Sequence, residues 1–203
     1  METDMESVTF NDETEKLEEN TKQFFQICME GRWEEVAEIY KTDKRAHTAK
    51  ITRGGDSALH VAVTDGQEDV VSELVKLIAK EESKEEALRI QNQRKNTALH
   101  LAASIGTSNM VRDISAADPS LVSVRNVDGE TPIFLAAFHG RKEAFMILHL
   151  VSNKPGTPVN YSTCRRYDGE TILHCAIAAD NFGNTNSYVF IDRCFLLFPS
   201  HLN

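Results

Sequence analysis

The feature that most constrains this chain is that it repeats itself. "DSALHVAVTDG" begins at Asp56, "NTALHLAASIG" at Asn96, "ETPIFLAAFHG" at Glu130 and "ETILHCAIAAD" at Glu170. Each copy places a hydroxyl residue second (Ser57, Thr97, Thr131, Thr171) and an aliphatic residue two positions on (Leu59, Leu99, Ile133, Leu173). Next come His60, His100, Phe134 and His174, then Ala62, Ala102, Ala136 and Ala176. Gly66, Gly106 and Gly140 close three of the copies, and Asp180 takes that place in the fourth. The hydroxyl positions are 40, 34 and 40 residues apart, and a fainter copy over 22–40 keeps Gly31 in register. Repetition at this period means a stack of supersecondary units, because no unit buries its apolar face alone.

The residues within one copy have separate physical tasks. The Ser or Thr caps a short helix by accepting a bond from an early amide. Pro132 sits at the first helical position, where its missing N–H costs nothing. Ala62, Ala102, Ala103, Ala136, Ala137 and Ala176 let neighbouring helices approach closely. The closing glycine takes the left-handed conformation that ends the helix. A second helix is predicted after it, from the spacing of Val70, Val71, Leu74, Val75 and Ile78 or of Ala144, Phe145 and Leu148. "GG" (54–55), "VDG" (127–129) and "YDG" (167–169) precede the motif as hairpin-turn signals. Each unit therefore reads as a turn and two antiparallel helices.

These positions resemble the ankyrin repeat, with its unit of about 33 residues and T-P-L-H-x-A signature. The resemblance covers roughly residues 21–180 and implies an all-α ankyrin-repeat solenoid whose last unit is incomplete. Units are expected near 21–50, 51–90, 91–124, 125–164 and 165–182, flanked by an acidic disordered tail (1–20) and an atypical C-terminal tail (183–203). The long spacings imply insertions: "KEESKEE" (80–86), expected to extend an outer helix, and the Pro/Gly loop "SNKPGTPVNYST" (152–163). Only Pro132 keeps the family's proline. Phe134 replaces the family's histidine, so packing is expected to replace that copy's inter-repeat hydrogen bond. After Asp180 the outer-helix pattern disappears and the ending is apolar. The chain is therefore expected to be a shortened product of a longer array. Within the family, "ICMEGRWEEVAEIY", "ADPSLVSVRNVDGETPIFLAAFHG" and "YDGETILHCAIA" resemble the plant ankyrin-repeat proteins with a C-terminal PGG membrane domain. That subgroup implies cytosolic repeats acting in stress and defence signalling at membranes, although the chain carries no PGG segment.

Charge narrows the partner classes. The net charge is -9, of which residues 1–20 hold about -7, so the repeats are nearly balanced. A balanced domain offers no electrostatic footprint for nucleic acid or an anionic membrane. No apolar run reaches the ~18–20 residues of a membrane span. With no basic–apolar leader at the start and four scattered cysteines (Cys28, Cys164, Cys175, Cys194), a reducing, cytoplasmic setting is expected, possible also at the cytosolic face of the plasma membrane through partners or a longer form.

"DGETILHCA" (168–176) packs acid, hydroxyl, imidazole and thiol into nine residues and invites a hydrolase or metal reading. The repeat offers a plainer one. His60, His100 and His174 stand one stacking step apart instead of converging, and the resemblance makes them bridges between neighbouring turns. Cys175 falls where Val61, Leu101 and Leu135 stand in the other copies, and Cys28 where Val63, Ala103 and Ala137 stand. Both read as small core residues, while Cys164 lies in the inserted loop. There is no HExxH, GxSxG or phosphate loop. The expectation is therefore no enzyme, no cofactor and no metal.

The resemblance places function on hairpin tips and on the exposed side of each inner helix, a concave surface suited to an unidentified protein partner. Register carries this to Arg53, Asp56 and Asp65, to Arg94, Asn96 and Ile105, to Val127, Asp128, Glu130, Phe138 and His139, and to Tyr167. Thr64, Ser104, Asp168 and Glu170 occupy equivalent places. Ile105, Phe138 and Tyr167 are apolar or aromatic where solvent is expected, and are the anchors of choice. Trp33 reads as packing in the first helical pair.

Overall fold

The computed structural model describes residues 19–153 and 161–172. Within them the chain forms α1 (residues 19–29), α2 (Trp33–Thr42), α3 (Ala58–Thr64), α4 (Glu68–Ile78) and α5 (Lys84–Leu88). It continues with α6 (Ala98–Ile105), α7 (Ser108–Ala117), α8 (Pro132–Phe138) and α9 (Lys142–Ser152). Short 3-10 turns follow at Lys44–His47, Pro119–Ser123 and Tyr161–Cys164. No strand occurs among the described residues. A single antiparallel bridge joins Arg165 to Thr171. The fold is an all-α repeat solenoid.

Composition explains the two helical layers. The inner helices α3, α6 and α8 are short and built on alanine, and they pack on one another in series. Ala58, Ala62, Ala98, Ala102, Ala136 and Ala137 are all buried there. The outer helices α2, α4, α7 and α9 are longer and bury one stripe each, such as Val71, Leu74, Val75 and Ile78 on α4. On α9 the stripe is Ala144, Phe145 and Leu148. The two rows share one continuous core that begins at Phe24 and Ile27 and takes in Trp33 and Tyr40. Fully burying one such side chain contributes about 1.5–3 kcal/mol.

The inner helices end through the same chemistry in successive units. Gly31, Gly66 and Gly140 have positive φ, and the following amides donate back to Ile27, Ala62 and Ala136. Gly106 is the tightest case, with φ 92° and a Cβ position only 2.5 Å from Cδ of Arg141. The Arg141 side chain lies across that glycine and donates from Nε to the Ser104 carbonyl at 2.9 Å. A side chain at 106 would displace this strap.

The segment 80–86 differs from its expected form. It does not extend α4, which ends at Ile78; the chain turns and starts α5. Ala87 and Leu88 are the reason, since both are buried and a straight extension would carry them into solvent. Arg89 then fixes the segment to the next unit by donating to Asp118 at 2.8 Å. Burial pushes the Asp118 carboxyl up, but bonds from Arg89 and Ser120 outweigh it and hold its pKa below the ordinary value.

Candidate protein-binding surface

Four hairpin turns are built alike. The amides of Ile51, Asn92, Asn126 and Arg166 donate to the carbonyls of Asp56, Asn96, Glu130 and Glu170. Those of Gly55, Lys95, Gly129 and Gly169 close the tips. Asn92 and Asn126 hold two of the turns from inside, each accepting two amides on its Oδ1. Neighbouring tips are stitched together, Gln93 N to the Gly54 carbonyl at 2.7 Å and Val127 N to the Arg94 carbonyl at 2.9 Å.

A polar ladder runs along the stack below the tips. Asn92 donates from Nδ2 to Asp56 Oδ1 at 2.8 Å, and Asn126 donates to Asn96 Oδ1 at 3.0 Å. Asn126 also reaches Glu130, which faces Arg166 at 3.5 Å. Three of the expected partner-facing residues belong to this ladder. Asn96 is buried at 9% exposure, and Asp56 and Glu130 are half-buried. All three occupy the position just before the hydroxyl, where the stacking axis runs, and their side chains bond to neighbouring turns. Their shared register was the signal that set them apart.

The buried histidines complete the junctions. Nδ1 of His60 lies 2.8 Å from Ser57 Oγ, and Nε2 lies 3.1 Å from the Asn96 carbonyl. His100 repeats this with Thr97 at 2.9 Å and the Glu130 carbonyl at 3.2 Å. A carbonyl only accepts, so Nε2 carries the proton and Nδ1 accepts, which defines a neutral tautomer. Burial lowers both pKa values, that of His100 to about 4. The Ser57 and Thr97 capping boxes thus use histidine in the place usually held by Glu or Gln.

The third copy lacks the imidazole. Phe134 is fully buried, and Thr131 caps α8 by accepting the Phe134 amide. Its hydroxyl, with no imidazole to face, donates to the Thr163 carbonyl at 2.5 Å. Packing was expected to replace the inter-repeat bond here; instead the hydroxyl makes one as well. Arg125 adds a guanidinium staple to the carbonyls of Gly129, Ser162 and Arg165. Its charge also lies 5.6 Å from the Tyr167 ring centroid.

His60 and His100 therefore serve two successive junctions and do not meet at a common point. Burial pushes the Cys28 thiol up to about 12 and also raises Cys164, the reverse of an activated nucleophile. Among the described residues no group of three or more His, Cys, Asp or Glu is placed to hold a metal ion. His174, Cys175 and Cys194, the tails 1–18 and 183–203, and the ending of the last unit lie outside the described residues.

What faces solvent is a different set. Arg53, Asp65, Arg94, Ile105, Val127, Phe138, His139 and Tyr167 are exposed, with Asp128 half-exposed and 3.5 Å from Arg94. Ile105 and Phe138 end consecutive inner helices, while Val127 and Tyr167 sit on consecutive tips. Phe138 rests on Phe134 with ring centroids 6.5 Å apart and meets His139 edge-on at 5.1 Å. Tyr167 packs against Gly129, where a Cβ would come within 2.5 Å of the ring. One residue was missed. Met29, 62% exposed, stands two before Gly31, as Phe138 stands two before Gly140. The faint first copy already carried that register.

A family model described as ankyrin repeats (3 copies) matches residues 24–120 and 72–160. The chain belongs to the ankyrin-repeat family. It is 28% identical over 125 residues to the probable 26S proteasome regulatory subunit p28 of Saccharomyces cerevisiae, covering 62% of this chain and 52% of that one. It is 33% identical over 132 residues to the human B-cell lymphoma 3 protein, covering 65% of this chain and 28% of that one. The ankyrin array thus spans about half of the yeast relative's length and about a quarter of the human one's. No helix among the described residues is long and apolar enough to cross a membrane.

Proposed function

We propose that this ankyrin array is a non-catalytic protein-binding module that engages a partner protein through its tips and inner-helix ends. One observation carries the reading. Ile105, Phe138 and Tyr167 are 39%, 38% and 70% exposed, and the counterparts of Ile105 and Phe138 in the first full copy, Asp65 and Thr64, are polar and exposed. Apolar side chains held in solvent at the ends of consecutive inner helices and on a neighbouring tip form a surface that a partner would desolvate. The yeast relative's name, a regulatory subunit of a larger assembly, agrees with a role exercised through contacts.

The finer setting we propose is the cytoplasm, in stress or defence signalling. The support is the likeness of "ICMEGRWEEVAEIY" and "YDGETILHCAIA" to the plant PGG-type subgroup. The same likeness favours a second reading, in which the array is the cytosolic regulatory part of a longer, membrane-anchored PGG-domain protein. Affinity capture with the full chain tests the surface, with the Ile105→Ala/Phe138→Ala/Tyr167→Ala variant as control. Partners held by the parent chain and released by the triple variant are the expected outcome. Equal capture by both would refute the assignment.

A further inference from the structure

The row of tips changes character along the array, and that gradient identifies a class of partner. At the first two tips stand Arg53, Arg94 and Lys95, all exposed. At the next two stand Val127 and Tyr167, 51% and 70% exposed, each followed by an aspartate, Asp128 and Asp168. The backbone bonds from Gln93 to Gly54 and from Val127 to Arg94 join the first three tips, and Tyr167 packs against Gly129 to continue the edge to the fourth. Asp128 is the carboxylate that enters the basic end, and it faces Arg94 at 3.5 Å. Arg53 and Lys95 have no carboxylate within ion-pair distance among the described residues.

Lys95 adds an independent observation. It is the one non-glycine with positive φ among the described residues, at 57°, in the tip position held by Gly55, Gly129 and Gly169 elsewhere. A lysine is strained there while glycine is not. Asn92 imposes the turn, accepting the amides on both sides of Lys95. Backbone strain retained at an exposed cation makes Lys95 a position at which to test a role for the charge.

Resting on the surface assignment above, we infer that the partner presents an acidic, extended segment. Its carboxylates lie against Arg53, Arg94 and Lys95, and a following apolar side chain lies on Val127 and Tyr167. Charge complementarity sets the direction of docking, and the apolar end supplies the anchor.

The test uses the full chain and a fluorescein-labelled peptide with a run of Asp and Glu followed by Leu-Phe. The peptide is expected to bind, and its Lys/Arg counterpart is not. Arg53→Glu/Lys95→Glu, with helical content checked by circular dichroism, should weaken binding about tenfold or more. The milder Arg53→Gln/Lys95→Gln should weaken it less and reduce its salt dependence. Unchanged affinity in the charge-reversed variant, or displacement of the peptide by an oligonucleotide, would overturn the inference. The two proposals fail differently. A captured protein lost by the Ile105/Phe138/Tyr167 triple variant but kept by Arg53→Glu/Lys95→Glu leaves the surface and rejects the acidic ligand. One kept by both rejects both.

Discussion

The second and third repeat junctions solve one problem with different chemistry. At the second, a buried neutral imidazole bridges from Thr97 to the Glu130 carbonyl. At the third, Phe134 fills the same place, Thr131 bonds directly to Thr163, and Arg125 staples three carbonyls from a half-exposed position. The repeat motif therefore demands a satisfied junction and does not demand a histidine. The imidazole junction is buried and titratable, whereas the guanidinium junction is the wet one, held by a half-exposed side chain.

The sharpest way to break this comparison is His100→Ala. It removes a fully buried side chain, one of the two donors to the Glu130 carbonyl and the partner of the Thr97 hydroxyl, so a loss of about 3 kcal/mol is expected in urea unfolding. His100→Phe imports the solution of the third copy and frees the Thr97 hydroxyl, so its loss should be about 1 kcal/mol. Equal losses would mean the two junctions are not alternatives.

Acid should separate the junctions next. The His100 pKa falls from 6.5 unfolded to about 4 folded, so the unfolded chain binds the extra proton between those values. This contribution is full above pH 6.5 and drains away as pH falls towards about 4, on the order of 3 kcal/mol in all. His60 shifts in the same direction. Urea titrations across this window should show the loss in the parent and a smaller one in His100→Phe.

The wet junction is probed by Arg125→Ala. A loss of about 1–2 kcal/mol is expected, with faster amide exchange at Arg166 and Gly169 and no added pH dependence. The smallest effect belongs to Lys95→Gly. Relief of the left-handed strain, partly offset by the freer unfolded chain, should stabilise the array by about 0.5 kcal/mol.

The architecture was legible in the sequence because it is written several times over. Hydroxyl, aliphatic, His and Ala positions recur in register, and each has a local cause in capping or close packing. The candidate surface was only half legible. Ile105, Phe138 and Tyr167 stood out as apolar residues where solvent was expected, and Met29 shares the register of Phe138. The ladder role of Asp56, Asn96 and Glu130 was not legible, because a polar residue near a turn looks the same whether it faces water or the next repeat. Only stacking distinguishes the two. The basic edge was hidden for a related reason. Arg53 and Lys95 lie some forty residues apart in the chain, and a balanced net charge conceals a patch that stacking assembles. The turn before α5 was missed because a charged run does not show that Ala87 and Leu88 behind it must be buried.

The central claim is that exposed tips and inner-helix ends bind, while the ladder beneath them only holds the array together. Affinity for a captured partner, measured beside thermal stability, tests this most directly. The Ile105→Ala/Phe138→Ala/Tyr167→Ala variant should melt within about 3 °C of the parent and bind at least ~100-fold more weakly. Asn96→Ala should melt lower and, while still folded, bind within about threefold of the parent. An unchanged affinity in the triple variant, with the loss appearing in Asn96→Ala instead, would contradict the account.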